Sequence, residues 1–114
     1  MALRIEKPWL SGVQALSRVR GQMGVYQLAK DSGEVIYMSY AGGRSLGGLN
    51  GEISRSLSAH PQATQVRFEI TTSYLSRYKE LLMVHQADHG ILPNHDPKVR
   101  LGRLSPAGGP RNGS

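Results

Sequence analysis

Two tyrosines, Tyr26 and Tyr37, have a spacing that suggests chemistry at a sheet surface. They flank the turn-forming residues Asp31 and Gly33, and each lies in a short run of β-favouring residues, so the segment predicts a β-hairpin. If the hairpin is symmetric about Asp31 and Ser32, Tyr26 lies directly opposite Tyr37. Two facing phenols either pack across the strands, worth about 0.2–1 kcal/mol, or present paired hydroxyls at a site. The residue types alone favour packing.

A histidine pair, His85 and His89, has the i, i+4 spacing at which two imidazoles on one helix face can chelate zinc. Position 86 is Gln86, so the glutamate of a metalloprotease helix is absent. A structural interpretation is favoured. His85 belongs to an apolar helix stripe, and His89 lies near a helix C-terminus, where the helix dipole favours a cation.

Two other groups of polar residues have simple structural explanations. Arg77 lies three residues before Glu80, which is the spacing of a surface salt bridge that adds little stability. The segment 42–45 is rich in glycine like a phosphate loop, but it lacks the Gly-Lys-Ser/Thr ending of such loops. Arg44 within it is equally consistent with an exposed loop cation.

The size and composition of the chain limit the classes of protein it can belong to. It has 114 residues, 14 Lys plus Arg against 8 Asp plus Glu, and no cysteine. This length predicts a single domain. The absence of cysteine excludes a disulfide scaffold, a thiolate zinc site and a cysteine nucleophile, and it fits a cytoplasmic location. No apolar run approaches the roughly 18–20 residues that a membrane span requires, so we expect no membrane association.

The positive charge is concentrated near the C-terminal end of the sequence. Residues 98–114 contain four basic residues and no acidic one, whereas residues 1–97 contain ten basic and eight acidic residues. The last ten residues are mostly Gly, Pro and Ser, so we predict a domain over 1–97 and a disordered basic tail over 98–114. Such a tail either binds phosphates by counterion release or only raises solubility, and both interpretations stay open.

Turn residues and hydrophobic periodicity predict the elements that position these side chains. The predicted elements are a short helix over 11–19, strands over 25–29 and 34–38, a helix over 50–59, a strand over 66–71 and a helix over 73–89. On the last helix, Tyr78, Leu81 and Leu82 share one face with other apolar residues. We therefore expect this face to pack on the sheet.

The order of several short motifs resembles the GIY-YIG nuclease superfamily. The motifs are Gly24-Val25-Tyr26, then Tyr37-Met38-Ser39 beginning eleven positions after Tyr26, a glycine-rich segment with Arg44, a helix carrying Glu80, and Pro93-Asn94. The resemblance covers residues 23–96. It implies a three-stranded antiparallel sheet flanked by helices, so we predict an α+β fold of the GIY-YIG-like kind.

The same resemblance implies a metal-dependent endonuclease that hydrolyses the phosphodiester bonds of DNA. Tyr26 would position or activate the attacking water with support from Tyr37, and Glu80 would hold Mg²⁺ or Mn²⁺. Arg44 would reach the scissile phosphate if its loop folds back, and Asn94 would close the site. A hard divalent ion prefers oxygen ligands and stabilises the charge that develops on the phosphate.

The sequence departs from the family pattern at three points. Ser39 replaces the glycine of the second motif, Tyr40 replaces a basic residue, and Gly47, Gly48 and Asn50 occupy the helix start where the family has its catalytic arginine. That arginine contributes strongly to phosphoryl transfer. Two functions therefore remain open: an endonuclease, or a catalytically degenerate domain that binds nucleic acid or a protein partner without cleavage.

Overall fold

The secondary structure alternates short strands with helices, as the periodicity predicts. The computed structural model describes residues 8–90. In chain order the elements are α1 (Gly12–Arg18), β1 (Gly24–Ala29), β2 (Val35–Ala41), α2 (Gly48–Ala59), β3 (Gln65–Ile70) and α3 (Tyr74–His89). All six predicted elements are present, with β2 running three residues further than predicted. Asn94 and the predicted tail over 98–114 lie outside the described residues.

The three strands form one antiparallel sheet in the order β2-β1-β3, which confirms the predicted α+β fold. Every residue of the central strand β1 is buried. Side chains of Tyr26, Leu28 and Val66 pack with α1 and α2 on one face, which we call the tyrosine face. Val25 and Met38 pack with α3 on the other, which we call the α3 face. No helix within residues 8–90 has the length and apolarity needed to cross a membrane.

The prediction that Tyr26 lies directly opposite Tyr37 in a symmetric hairpin is wrong. Tyr26 pairs with Ser39, and Tyr37 pairs with Leu28. The pairing next to the loop is shifted by one residue along β2, because the Lys30 N–H donates to the Glu34 carbonyl (3.0 Å) and Ala29 pairs with Val35. A β-bulge then adds one further residue to β2. The two changes together shift the register by two residues, so both tyrosines stay on the same face but are diagonal neighbours.

Helix α3 ends at the predicted residue and begins one residue later than predicted, after Ser73, whose side chain makes no capping hydrogen bond. The Thr71 hydroxyl accepts a hydrogen bond from the Ser73 N–H (3.0 Å) just before the helix. Gly90 ends it with a φ of 81°, a left-handed conformation that glycine adopts without strain. Tyr78, Leu81 and Leu82 are the buried residues of α3 and confirm the predicted apolar face. The helix therefore covers the α3 face of the sheet.

Candidate functional site

Tyr26, the first predicted catalytic tyrosine, is fully enclosed in the core of the tyrosine face. Its hydroxyl shares a hydrogen bond of 2.5 Å with Oγ of Ser56 on α2 and donates to the Glu52 carbonyl oxygen at 3.4 Å. Ser39, which stands opposite Tyr26 in the register, also hydrogen-bonds to it through its side chain. The serine that departs from the family motif therefore helps to satisfy a buried phenol, as buried polar groups require.

Burial raises the pKa of Tyr26 well above the ordinary tyrosine value of 10.0, and the hydrogen bonds from Ser56 and Ser39 offset only part of this effect. The nearby Tyr37 raises that pKa further. A phenol in this state holds its proton at neutral pH, whereas a general base must release it readily. The environment of Tyr26 therefore suits a structural hydrogen bond better than proton transfer.

Tyr37 lies at the border of the same apolar cluster. Its ring centroid is 6.4 Å from that of Tyr26 and 4.5 Å from that of His60, which follows α2. The His60 ring nitrogen Nδ1 is 2.9 Å from the Ser56 carbonyl oxygen, so the imidazole is tied to the end of the helix. The two predicted tyrosines are thus brought together, in an aromatic cluster that joins β1 and β2 to α2.

Glu80, the predicted metal ligand, lies on α3 and hence on the opposite side of the sheet from Tyr26. Its Oε1 accepts a hydrogen bond from Nη1 of Arg77 at 2.5 Å. Arg77 also donates from Nε and Nη2 to the two carboxylate oxygens of Glu69, both at 3.0 Å. These bonds, first to Glu69 and then to Glu80, raise the Arg77 pKa above its ordinary value against the opposing effect of burial.

This ion network does not fit the Mg²⁺ or Mn²⁺ that the family resemblance implies. The Glu80 carboxylate already faces the Arg77 guanidinium, and a divalent cation there would be repelled by a charge of the same sign. Within residues 8–90, no three His, Asp or Glu side chains are grouped so that they could hold a metal ion. The geometry therefore supports the salt-bridge explanation of Glu80 that the i, i+3 spacing indicates.

The start of α2, where the family has an arginine, is used here for close backbone contact. The N–H groups of Leu49 and Asn50 donate to the carbonyls of Gln22 (2.9 Å) and Arg20 (3.0 Å). Gly48 has a φ of 58°, and a Cβ atom on it would lie 2.3 Å from the backbone of Gly21. A side chain is therefore excluded at Gly48, and the helix N-terminus has partners in the chain itself rather than a free phosphate site.

One predicted site residue, Arg44, lines a cleft where β2 ends. It has a volume of about 520 Å³ and lies between the β2–α2 loop and the first turn of α3. We call it the Arg44 cleft, and its lining residues are Tyr40, Gly42, Gly43, Arg44, Ser45, Glu52, Tyr74 and Leu75. Its volume is within the range of about 300–1,000 Å³ that small-molecule sites occupy.

Two tyrosines that sequence analysis did not assign to a site form one wall of this cleft. The rings of Tyr40 and Tyr74 are nearly parallel, with centroids 5.6 Å apart and an angle of 18° between their planes. A Cβ atom on Gly42 would lie 2.8 Å from the Tyr74 ring, so only glycine lets this ring approach the β2–α2 loop. The alternation of β2 could have placed Tyr40 on the opposite face from Tyr37, but nothing in the pattern pairs it with Tyr74.

The charged groups of the cleft differ in how they are held. Arg44 is exposed, and within residues 8–90 it has no ion pair or side-chain hydrogen bond. Glu52 is paired with Arg55 on the next turn of α2 at 3.3 Å, and its side chain is only 18% exposed. The loop that carries Arg44 is braced by Ser45, whose Oγ accepts from the Gly42 N–H at 3.0 Å. A free guanidinium on a braced loop can bind an anion without first breaking a salt bridge.

The predicted site residues are therefore divided among three places in the described part of the chain. Tyr26 and Tyr37 share the tyrosine face, Glu80 joins an ion network on α3, and Arg44 lines the cleft. Sequence analysis missed Glu52 and Tyr74 in that cleft, because neither belongs to a recognisable motif.

Comparison with known proteins gives a family without an assigned activity. No curated protein matches the chain. Residues 1–88 match the sequence model of a family described as a domain of unknown function, DUF7508. Because this match spans most of the sequence, the chain belongs to the DUF7508 family.

Proposed function

We propose that this domain binds single-stranded nucleic acid in the Arg44 cleft and does not cleave it. The observation that carries the proposal is that an exposed, unpaired guanidinium opens onto the same cleft as the stacked rings of Tyr40 and Tyr74. Bases stack on aromatic side chains, and arginine binds phosphate, so this combination matches the chemistry of an unpaired strand. The net charge of +6, of which residues 98–114 contribute +4 and residues 1–97 contribute +2, favours the same class of ligand.

Single strands suit the cleft better than a duplex does. A tyrosine wall can stack only on a base whose face is accessible, and the bases of a duplex are already stacked on one another. The Arg44 cleft is lined by residues of three elements and one loop rather than by a single helix that could enter a major groove. The resemblance to GIY-YIG nucleases gives independent support for nucleic acid as the ligand class.

Binding without cleavage is favoured over the endonuclease alternative because of how the predicted catalytic groups are held. Tyr26 is buried with a raised pKa, and Glu80 is bound by Arg77 on the other side of the sheet. The positions that would supply the family's arginine include Gly48, where a side chain would meet the backbone of Gly21. Each departure from the family pattern thus has a structural use in this chain.

The test is the affinity of the full chain for a fluorescent single-stranded oligonucleotide at low salt. Arg44→Gln should weaken binding and lower the slope of log K against log [salt] by about 0.7, the value for one phosphate contact on a single strand. Tyr74→Leu should cost about 1–3 kcal/mol of binding free energy through lost stacking. Circular dichroism of each variant verifies that the fold is retained.

The matched control is Lys30→Gln, which removes one positive charge from the hairpin loop at the opposite end of the sheet. It should change affinity less than Arg44→Gln does. Equal losses in the two variants would show that binding follows net charge and not the cleft. No binding of DNA or RNA strands at low salt would overturn the proposal and favour a protein partner.

A further inference from the structure

The last two turns of α3 hold a pair of histidines that no part of the proposed function uses. His85 and His89 lie one turn apart, and their ring centroids are 4.3 Å apart with an angle of 37° between the planes. Residues four apart lie on the same face of a helix, so both imidazoles project to the same side. The Arg44 cleft adjoins Tyr74 and Leu75 at the first turn of this helix, so the histidine pair lies at the far end of α3.

We propose that His85 and His89 together bind a divalent transition-metal ion such as Zn²⁺, Ni²⁺ or Cu²⁺. Imidazole nitrogen is a preferred ligand of these ions, and two histidines at i and i+4 on one helix are a recurring pair of zinc ligands. Water molecules complete the coordination of the ion, since a two-histidine site leaves positions open. Hard ions such as Mg²⁺ prefer oxygen ligands and are excluded by the same argument.

Both imidazoles are available for this role. Within residues 8–90, neither ring has a hydrogen bond or an ion pair, and His89 is exposed to solvent. An ion can therefore reach the pair without displacing an existing partner. By contrast, His60 is tied to the Ser56 carbonyl and stacked on Tyr37, which makes it a suitable control residue.

Burial disfavours protonation of His85, and the helix dipole favours a bound cation. Burial lowers the His85 pKa below 6.5, and the proximity of His89 lowers it further, while Asp88 acts in the opposite direction. The pair also lies at the C-terminus of a 16-residue helix, where the partial negative charge of the helix dipole attracts a cation.

The experiment is calorimetric titration of Zn²⁺ and Ni²⁺ into the full chain at pH 7.5, with Mg²⁺ as the contrasting ion. Saturable binding of the transition ions and none of Mg²⁺ is expected, and the affinity should fall at pH 5.5 as protons compete for the imidazoles. His85→Ala and His89→Ala should each abolish saturable binding, whereas His60→Ala should leave it unchanged.

A variant of unchanged histidine content separates the geometry from the number of imidazoles. In the double variant Ala87→His with His89→Ala, the second histidine stands two residues from His85, on a different side of the helix. This protein should lose saturable Zn²⁺ binding although it still has four histidines. Binding that survives in this variant or in His89→Ala would overturn the proposal, as would the absence of saturable Zn²⁺ and Ni²⁺ binding by the wild-type chain.

Discussion

The two faces of the sheet use the same three strands but satisfy their polar groups in different ways. On the tyrosine face, the hydroxyl of Tyr26 is enclosed among apolar side chains and is held by Ser56 and Ser39. On the α3 face, Glu69, Arg77 and Glu80 form an ion network near the protein surface, with 30%, 11% and 36% of their side chains exposed.

This difference shows why an ordered set of motifs does not guarantee a common site. Tyr26 lies on a strand and points to the tyrosine face, whereas Glu80 lies on a helix that packs on the α3 face. Here the tyrosines and the glutamate stand in the order that the family pattern requires, yet the sheet lies between them. Both sets of polar groups are satisfied within the fold, whereas Arg44 in the cleft has no ion pair or side-chain hydrogen bond within residues 8–90.

The largest expected effect tests whether α3 truly packs on its face of the sheet. Leu81 is 2% exposed, so Leu81→Ala should lower the free energy of unfolding by about 2–5 kcal/mol through lost burial and a residual cavity. Leu75 lies on the same helix but is 44% exposed, and Leu75→Ala should cost much less. Urea denaturation of both variants measures the two values, and equal losses would contradict the observed helix phase.

The second prediction concerns the ion network of the α3 face. Glu69 accepts two hydrogen bonds from Arg77, so Glu69→Gln should cost about 1.5–3 kcal/mol of unfolding free energy. Glu80 accepts one such bond and is more exposed, so Glu80→Gln should cost about 0.2–1 kcal/mol. Urea denaturation with and without Mg²⁺ measures the unfolding free energies of both variants and of the wild type. Specific stabilisation of the wild type by Mg²⁺ that Glu80→Gln removes would show that Glu80 is a metal ligand after all.

The third prediction concerns the tyrosine face, where we expect a smaller loss of unfolding free energy. Tyr26→Phe keeps the ring but removes the hydroxyl that Ser56 and Ser39 contact, so it should cost about 0.5–1.5 kcal/mol at neutral pH. Tyr74→Phe removes a hydroxyl at the edge of the cleft and should change stability less. An effect of Tyr26→Phe no larger than that of Tyr74→Phe would contradict the buried hydrogen bond.

Alkaline pH gives an independent measure of the same hydroxyl. The folded state keeps the Tyr26 proton to a higher pH than the unfolded chain, in which a tyrosine titrates near 10.0. Above that pH the unfolded chain releases a proton that the folded chain retains, so the free energy of unfolding falls as pH rises. Tyr26→Phe lacks this contribution. Above about pH 10 the free energy of unfolding should therefore fall less in Tyr26→Phe than in the wild type. Thermal denaturation of both proteins at several pH values measures this difference.

The elements of the fold were predictable from sequence because they depend on local patterns. The apolar stripe of α3 gave the observed helix and its buried face, and the alternation in β3 gave the observed strand and the burial of Val66, although Ile70 is 52% exposed. The register of the hairpin was not predictable, because it depends on one bulged residue in β2 and on the position of the hydrogen bonds that close the loop.

The candidate site was predictable only in part. Arg44 was identified from its glycine-rich loop and does line a cleft. Tyr74 and Glu52 are brought to it by packing between elements that are far apart in sequence, which no local pattern reports. The close contact between Gly48 and the Gly21 backbone could not be predicted either, because it depends on the segment before β1 crossing the start of α2.

The measurement that tests the central claim most directly is nicking of supercoiled plasmid DNA with Mg²⁺ or Mn²⁺. The wild-type chain, Tyr26→Phe and Glu80→Gln are compared with a mock preparation and with samples containing EDTA. Because Tyr26 and Glu80 lie on opposite faces of the sheet, we predict no metal-dependent nicking above the mock level in any of the three proteins. Metal-dependent nicking by the wild type that is lost in both variants would contradict the account, because it would require the two residues to act in one catalytic site.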